Sequence, residues 1–141
     1  VGLRTIRYGA LMRFAEADSG GYRIEAYGRE GIRVAGRTLT TGLILTPERL
    51  IEDWGPREVS ALDAGHLRPL IELKPELVVL GTGATQVFPE PSVYLAILEL
   101  GIGFEIMDTG AACRTYNILM AEGRRVAAVL LPLTPIVPVK P

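Results

Sequence analysis

At 141 residues the chain has room for one ordinary domain and enough length to bury a real core. Its composition, 48% hydrophobic and 22% charged with a formal net charge of -1, argues against a disordered chain. Lys and Arg gather into no stripe, so nucleic acid is excluded as a partner on electrostatic grounds.

The single cysteine, Cys113, rules out an internal disulfide framework and fits a reducing compartment, read here as bacterial cytoplasm. The longest nearly charge-free stretch, Ser92 to Phe104, contains Glu99 and is too short for the roughly 20 apolar residues of a transmembrane helix. No transmembrane segment is expected.

In chain order, Arg4, Arg7 and Arg13 precede the first acid, Glu16, a pattern also found in mitochondrial transit peptides. Residues 1–20 are nevertheless read as a loosely ordered extension, residues 21–132 as one domain and residues 133–141 as a Pro-rich tail. From Gly21 to Leu45 apolar residues alternate with polar ones: Tyr22, Ile24 and Ala26, then Ile32 and Val34, then the Thr-, Leu- and Ile-rich run Thr38 to Leu45. With turn residues at Gly28 to Gly31 and at Gly36-Arg37, this predicts an antiparallel β-meander.

Thr46 to Leu62 reads as a connection with room for one strand, interrupted by Pro47 and Gly55-Pro56. A short helix is expected to begin near Pro69. Beyond Glu76 strands and helices alternate: strand Leu77 to Leu80, helix Ser92 to Leu100, strand Phe104 to Met107, helix Gly110 to Ala121, strand Val126 to Leu131. Gly101 and Gly123 stand where helices should be capped. The fold class is therefore α/β, a layered single domain with an N-terminal β-meander and a βαβαβ half.

The most specific local feature is Val78 to Gly83, an apolar strand running into Gly-Thr-Gly. It resembles half of a dinucleotide fingerprint, but Gln86 stands where the third glycine belongs. If the strands at Leu77 and Phe104 are parallel neighbours, Gly81, Thr82, Gly83 and Thr85 lie beside Asp108, Thr109, Gly110 and Arg114, at a helix N-terminus whose N–H groups suit a small anion. Capping of that helix by Asp108 or Thr109 is the competing structural reading, and the favoured one.

Cys113, next to Arg114 in the same helix, could carry a reactive thiol, but its small neighbours Ala111 and Ala112 favour a packed core role. Ser60, Asp63 and the only histidine, His66, have the residue types of a hydrolytic triad; their closeness in sequence favours turn and cap roles. One His and one Cys make no zinc site, and the carboxylates show no catalytic spacing. No catalytic residue, metal or cofactor is expected.

Three segments carry a family resemblance: Val78 to Gly83, Met107-Asp108-Thr109-Gly110-Ala111-Ala112-Cys113-Arg114-Thr115-Tyr116-Asn117, and Glu122-Gly123-Arg124-Arg125 running through the apolar residues to Pro132. In that order they resemble the single-domain family (Mth-type domain) that includes assembly factor number three of mitochondrial NADH:ubiquinone oxidoreductase, complex I, with small bacterial and archaeal relatives. The resemblance spans Gly31 to Pro132 and implies a layered α/β domain on a mixed sheet. It implies no established enzyme reaction. For partners it implies respiratory-complex subunits or assembly proteins, and for a eukaryotic source a mitochondrial matrix setting. Two functional readings follow: a non-enzymatic interaction or assembly module, and alternatively a small-anion or nucleotide-like ligand-binding domain, or an unrecognised enzyme, using the Gly81–Gly83 loop and the helix N-terminus after Asp108.

Overall fold

A computed structural model describes residues 21–133 of the chain. The extension expected over residues 1–20 and all but the first residue of the expected tail lie outside the described residues. Strands β1 (Ile24–Gly28), β2 (Gly31–Val34) and β3 (Arg37–Leu39) form an antiparallel meander. A second sheet is built from β4 (Leu43–Leu45), β5 (Leu50–Ile51), β6 (Leu77–Gly81), β7 (Gly103–Met107) and β8 (Val126–Leu130), in the order β5-β4-β8-β6-β7. β6 runs parallel to both β7 and β8, whereas β4 is antiparallel to β8 and β5. The expected mixed sheet is thus realised, and it holds the last strand at its centre.

The run Thr38 to Leu45, read as part of the meander, is divided between the two sheets. Up to Leu39 it belongs to the meander; from Leu43 it is a wholly buried three-residue strand beside β8. Gly42 makes the transfer possible. A Cβ there would lie 2.3 Å from the Trp54 carbonyl oxygen, while the Trp54 N–H bonds the Gly42 oxygen at 2.9 Å, so only glycine lets the two backbones touch. The lack of alternation in Leu43-Ile44-Leu45 belongs to a strand covered on both faces.

Helix α1 (Arg68–Leu73) starts with Pro69 in its first turn, where the missing N–H costs nothing, and ends on left-handed Lys74. The segment read as one helix from Ser92 is a 3-10 turn, Pro91–Val93, followed by α2 (Leu95–Glu99), because Tyr94 between them leaves helical geometry at φ -119°, ψ 9°. Helix α3 (Thr109–Ala121) is longer, and Gly123 just beyond it has φ +82°, the left-handed turn of a helix end.

Strand parity sorts the core into two layers. Val78, Leu80, Ala127, Val129 and Ile44 pack with Ile97 of α2 and Leu70 of α1. Val79, Val126, Ala128, Leu130, Leu43 and Leu45 pack with Ala112, Cys113 and Tyr116 of α3 and with Ile24, Ile32 and Val34 of the meander. β6 and β8, apolar without alternation, are therefore covered on both sides. The helices lie on opposite faces because the crossover from β6 to β7 moves one way along the sheet and that from β7 to β8 moves back across β6; one handedness then requires opposite faces.

Candidate functional site

The loops after β6 and β7 meet at one edge of the sheet because the strands are parallel and in register, Gly81 opposite Met107. Of the eight residues singled out from the sequence, Gly81 ends β6 and the other seven belong to these loops or to the first turns of α3. Gly81 is required there. A Cβ would meet the Thr109 Cα at 2.8 Å and its Oγ1 at 2.9 Å, so the loop lies directly against the helix start.

Contact at this range is held by hydrogen bonds between the two loops themselves. The Gly83 N–H donates to Thr109 Oγ1 at 2.8 Å, and that hydroxyl donates to the Leu131 carbonyl at 2.8 Å. The Thr109 N–H returns to the Gly83 oxygen at 2.9 Å. Thr109 is wholly buried, so this hydroxyl joins the ends of β6, β8 and α3 out of water. Thr82 does the same for the outer loop: its N–H reaches the Met107 oxygen at 2.9 Å, its Oγ1 lies 2.6 Å from the Thr85 oxygen, and the Val87 N–H donates to that Oγ1 at 3.0 Å.

The helix start is served in the same way. Asp108 accepts from the Ala111 N–H at 2.8 Å, an N-cap that satisfies one of the first-turn donors and sets a negative charge against the positive end of the helix. Arg114 turns from the loop toward Tyr27 of the meander, donating to its hydroxyl with the guanidinium carbon 5.9 Å from the ring centre. The loops that the sequence brings together thus spend the donors of Gly83, Thr109, Thr82 and Ala111 on one another.

Cys113 sits one helical turn inward, 1% exposed, and burial pushes its thiol up to about 12. Arg114 acts in the opposite direction and is outweighed. The thiol is a core group. Asp63 and His66 form a reciprocal cap on the turn Ala64–Leu67: the His66 N–H donates to Asp63 Oδ1 at 3.1 Å and the Asp63 N–H to His66 Nδ1 at 3.0 Å. Their turn role agrees with their spacing. Among the described residues no group of three His, Cys, Asp or Glu side chains is placed to hold a metal ion.

Two residues of the resembling motif had no role readable from spacing. Asn117 spans the β1 backbone, accepting from the Ile24 N–H at 2.9 Å and donating to the Ile24 oxygen at 2.8 Å, beside the register shift between Ile24 and Ala26. Tyr116 donates to the Tyr22 oxygen at 2.7 Å, and burial raises the pKa of its phenol. Together they replace ladder bonds that β1 lacks and fasten the meander to α3. A polar residue mid-helix beside an aromatic is a faint signal of such a clamp. Arg124 of the third segment pairs with Glu76 at 2.8 Å, tying the entry of β8 to that of β6.

At the opposite end of the sheet lies a cavity of about 280 Å³, bordered by Thr46, Leu73 and Pro75 and by Glu48, Arg49, Glu72 and Arg125. Its two cations and two anions balance, so the walls select neither sign of ligand.

A family model described as "Protein of unknown function (DUF498/DUF598)" matches residues 24–131. The mouse protein named NADH dehydrogenase [ubiquinone] 1 alpha subcomplex assembly factor 3 is 32% identical over 111 residues, covering 77% of this chain and 60% of its own length. The chain therefore spans about three fifths of that curated relative. An uncharacterized protein of Rhodobacter capsulatus is 32% identical over 120 residues, covering 85% of this chain and 92% of its own. The solution structure of a Bordetella pertussis protein, described as a Mth938-like domain, superposes with a TM-score of 0.72 at 30% identity, covering 94% of this chain and 93% of that one.

Proposed function

The chain belongs to the DUF498/DUF598 family, and from that membership we propose that it works as a non-enzymatic interaction module of the assembly-factor type. The observation that carries this reading is its relation over 77% of its length to proteins named as assembly factors of NADH dehydrogenase. The geometry of the Gly81 to Arg114 junction supports it. Loops fastened to one another serve as a brace that positions the neighbouring surface, and contact with another protein needs a fixed surface more than a reactive group.

The partners proposed are respiratory-complex subunits or the proteins that assemble them. A bacterial cytoplasmic setting is proposed alongside, since a bacterial relative matches nearly end to end; a eukaryotic source would move it to the mitochondrial matrix. Tagging the protein in its own cells and identifying what co-purifies tests the reading directly. Recovery of NADH dehydrogenase subunits or their assembly proteins is the expected result. Repeated recovery of the protein alone, under conditions that keep respiratory complexes intact, rejects it.

A further inference from the structure

Strand β7 ends the five-stranded sheet among the described residues. The Met107 oxygen and the Gly103 N–H both point toward the β6 side, so alternation directs the backbone groups of Phe104 and Ile106 outward. Gln86 takes one of them, donating from Nε2 to the Ile106 oxygen at 2.9 Å, which lays its loop along this edge. The next two residues, Val87 and Phe88, are exposed, Phe88 at 65%. On the same side of the sheet Tyr94 stacks on Phe104 at 4.7 Å, and Leu98, one helical turn further along, stays exposed with Leu95.

The charge of this region is one-sided. From Gln86 to Met107 there is no Lys, Arg or His, while Glu90, Glu99 and Glu105 are acidic, in a chain whose totals are balanced at 15 Lys+Arg and 16 Asp+Glu. Glu105 is exposed in the middle of the edge strand.

We propose that the outer edge of β7, with the Gln86 to Phe88 loop and α2 beside it, docks an extended segment of another protein in which Lys or Arg alternate with apolar residues. The alternation follows from the pleat. A strand added to β7 has every second side chain on the face of Phe104, Tyr94 and Leu98, which is apolar, and the intervening ones on the face of Glu105, which is acidic. A second copy of this chain fits poorly, because pairing β7 with β7 in antiparallel fashion about its centre sets Glu105 against Glu105. The proposal rests on the interaction-module reading and names the surface it would use.

The test uses the full chain and synthetic twelve-residue peptides: one alternating Lys with Val and Ile, one alternating Glu with the same apolar residues, one of the Lys composition scrambled out of alternation, and one copying residues 3–14 of this chain. Binding is followed by fluorescence anisotropy at low and high salt. The alternating Lys peptide is expected to bind most tightly and to weaken with salt. Glu105→Lys should weaken it roughly tenfold and shift preference to the Glu peptide, since opposite charges become like charges across the pair. Phe88→Ser should weaken both peptides. Melting curves of both variants check that the fold is intact, as these exposed positions should allow.

Equal binding of the alternating and scrambled Lys peptides, no binding of either, or indifference to Glu105→Lys would overturn the proposal. Tightest binding of the 3–14 peptide would overturn it in favour of the chain's own segment, and a self-association lost in Phe88→Ser in favour of a second copy. Co-purification of the same cellular partners with the Glu105→Lys, Phe88→Ser double variant would reject this surface while leaving the function standing; absence of partners from the unaltered protein would reject the function itself.

Discussion

The junction of Gly81 with Thr109 and the outer edge of β7 adjoin each other, yet they treat polar groups in opposite ways. At the junction backbone and hydroxyl groups are buried and satisfied by one another within 2.8 to 2.9 Å. Along the edge, backbone groups point outward beside exposed Val87, Phe88 and Leu98. Glycine beside a helix N-terminus looks like a ligand cradle in sequence; here its closeness is used up in packing. The difference teaches that a loop can be chemically well equipped and already occupied by its own chain.

The comparison breaks most visibly if the layer beneath the junction is disturbed. Val79→Asp places an unpaired carboxylate at a strand position with 0% exposure, and the cost of several kcal/mol is comparable with the stability of a whole domain. The variant is expected to be insoluble or to lack a cooperative melt. A soluble protein melting normally would show that β6 is not the two-sided core strand described.

Thr109→Val keeps the shape and removes only the hydroxyl, stranding the Gly83 N–H and the Leu131 oxygen in a buried place. Two such groups at about 1 to 3 kcal/mol each predict a loss of about 2–6 kcal/mol in urea titrations. A loss under 0.5 kcal/mol would mean that water or another donor serves these groups, and that the junction is less closed than its geometry suggests.

Cys113 offers a pH probe of the same layer. Its folded-state pKa is raised above the ordinary value of 9.0 to about 12, so the native state holds its proton where the unfolded chain releases it. Stability from this group is complete below pH 9 and falls as pH rises toward 12, by at most about 1.4 kcal/mol per unit. Comparing the unaltered protein with Cys113→Ala across that range isolates the slope. Rapid thiol labelling of the native protein at neutral pH would contradict the burial.

The smallest effect belongs to the open side. Leu98→Ser on α2 should change stability by about 1 kcal/mol or less, because nearly half of the residue's surface is already exposed and Ser is only slightly poorer in a helix. A loss of 2 kcal/mol would place Leu98 in a buried contact and erase the contrast between edge and junction.

Much of the fold was legible before any coordinates. Apolar runs without alternation marked β6 and β8 as two-sided strands, glycines marked the ends of α2 and α3, and the alternation of elements beyond Glu76 implied the parallel part of the sheet. Such signals survive in one dimension because periodicity and helix caps depend on neighbours within a few residues. The meeting of the Gly81 and Asp108 loops was also legible, since register and crossover direction place strand ends together.

What only the tertiary structure decided depends on partners far apart in the chain. Nothing near Thr109 announces the Leu131 carbonyl 22 residues away, nor does Asn117 announce Ile24, 93 residues away, so the occupation of the loops and the clamp on β1 were invisible in the sequence. The division of Thr38 to Leu45 between two sheets was hidden for the same reason: it depends on the Trp54 backbone pressing on Gly42. Local sequence determines which groups can bond and pack, whereas the free energy of leaving a buried polar group unpaired is settled by whatever the folded chain brings beside it.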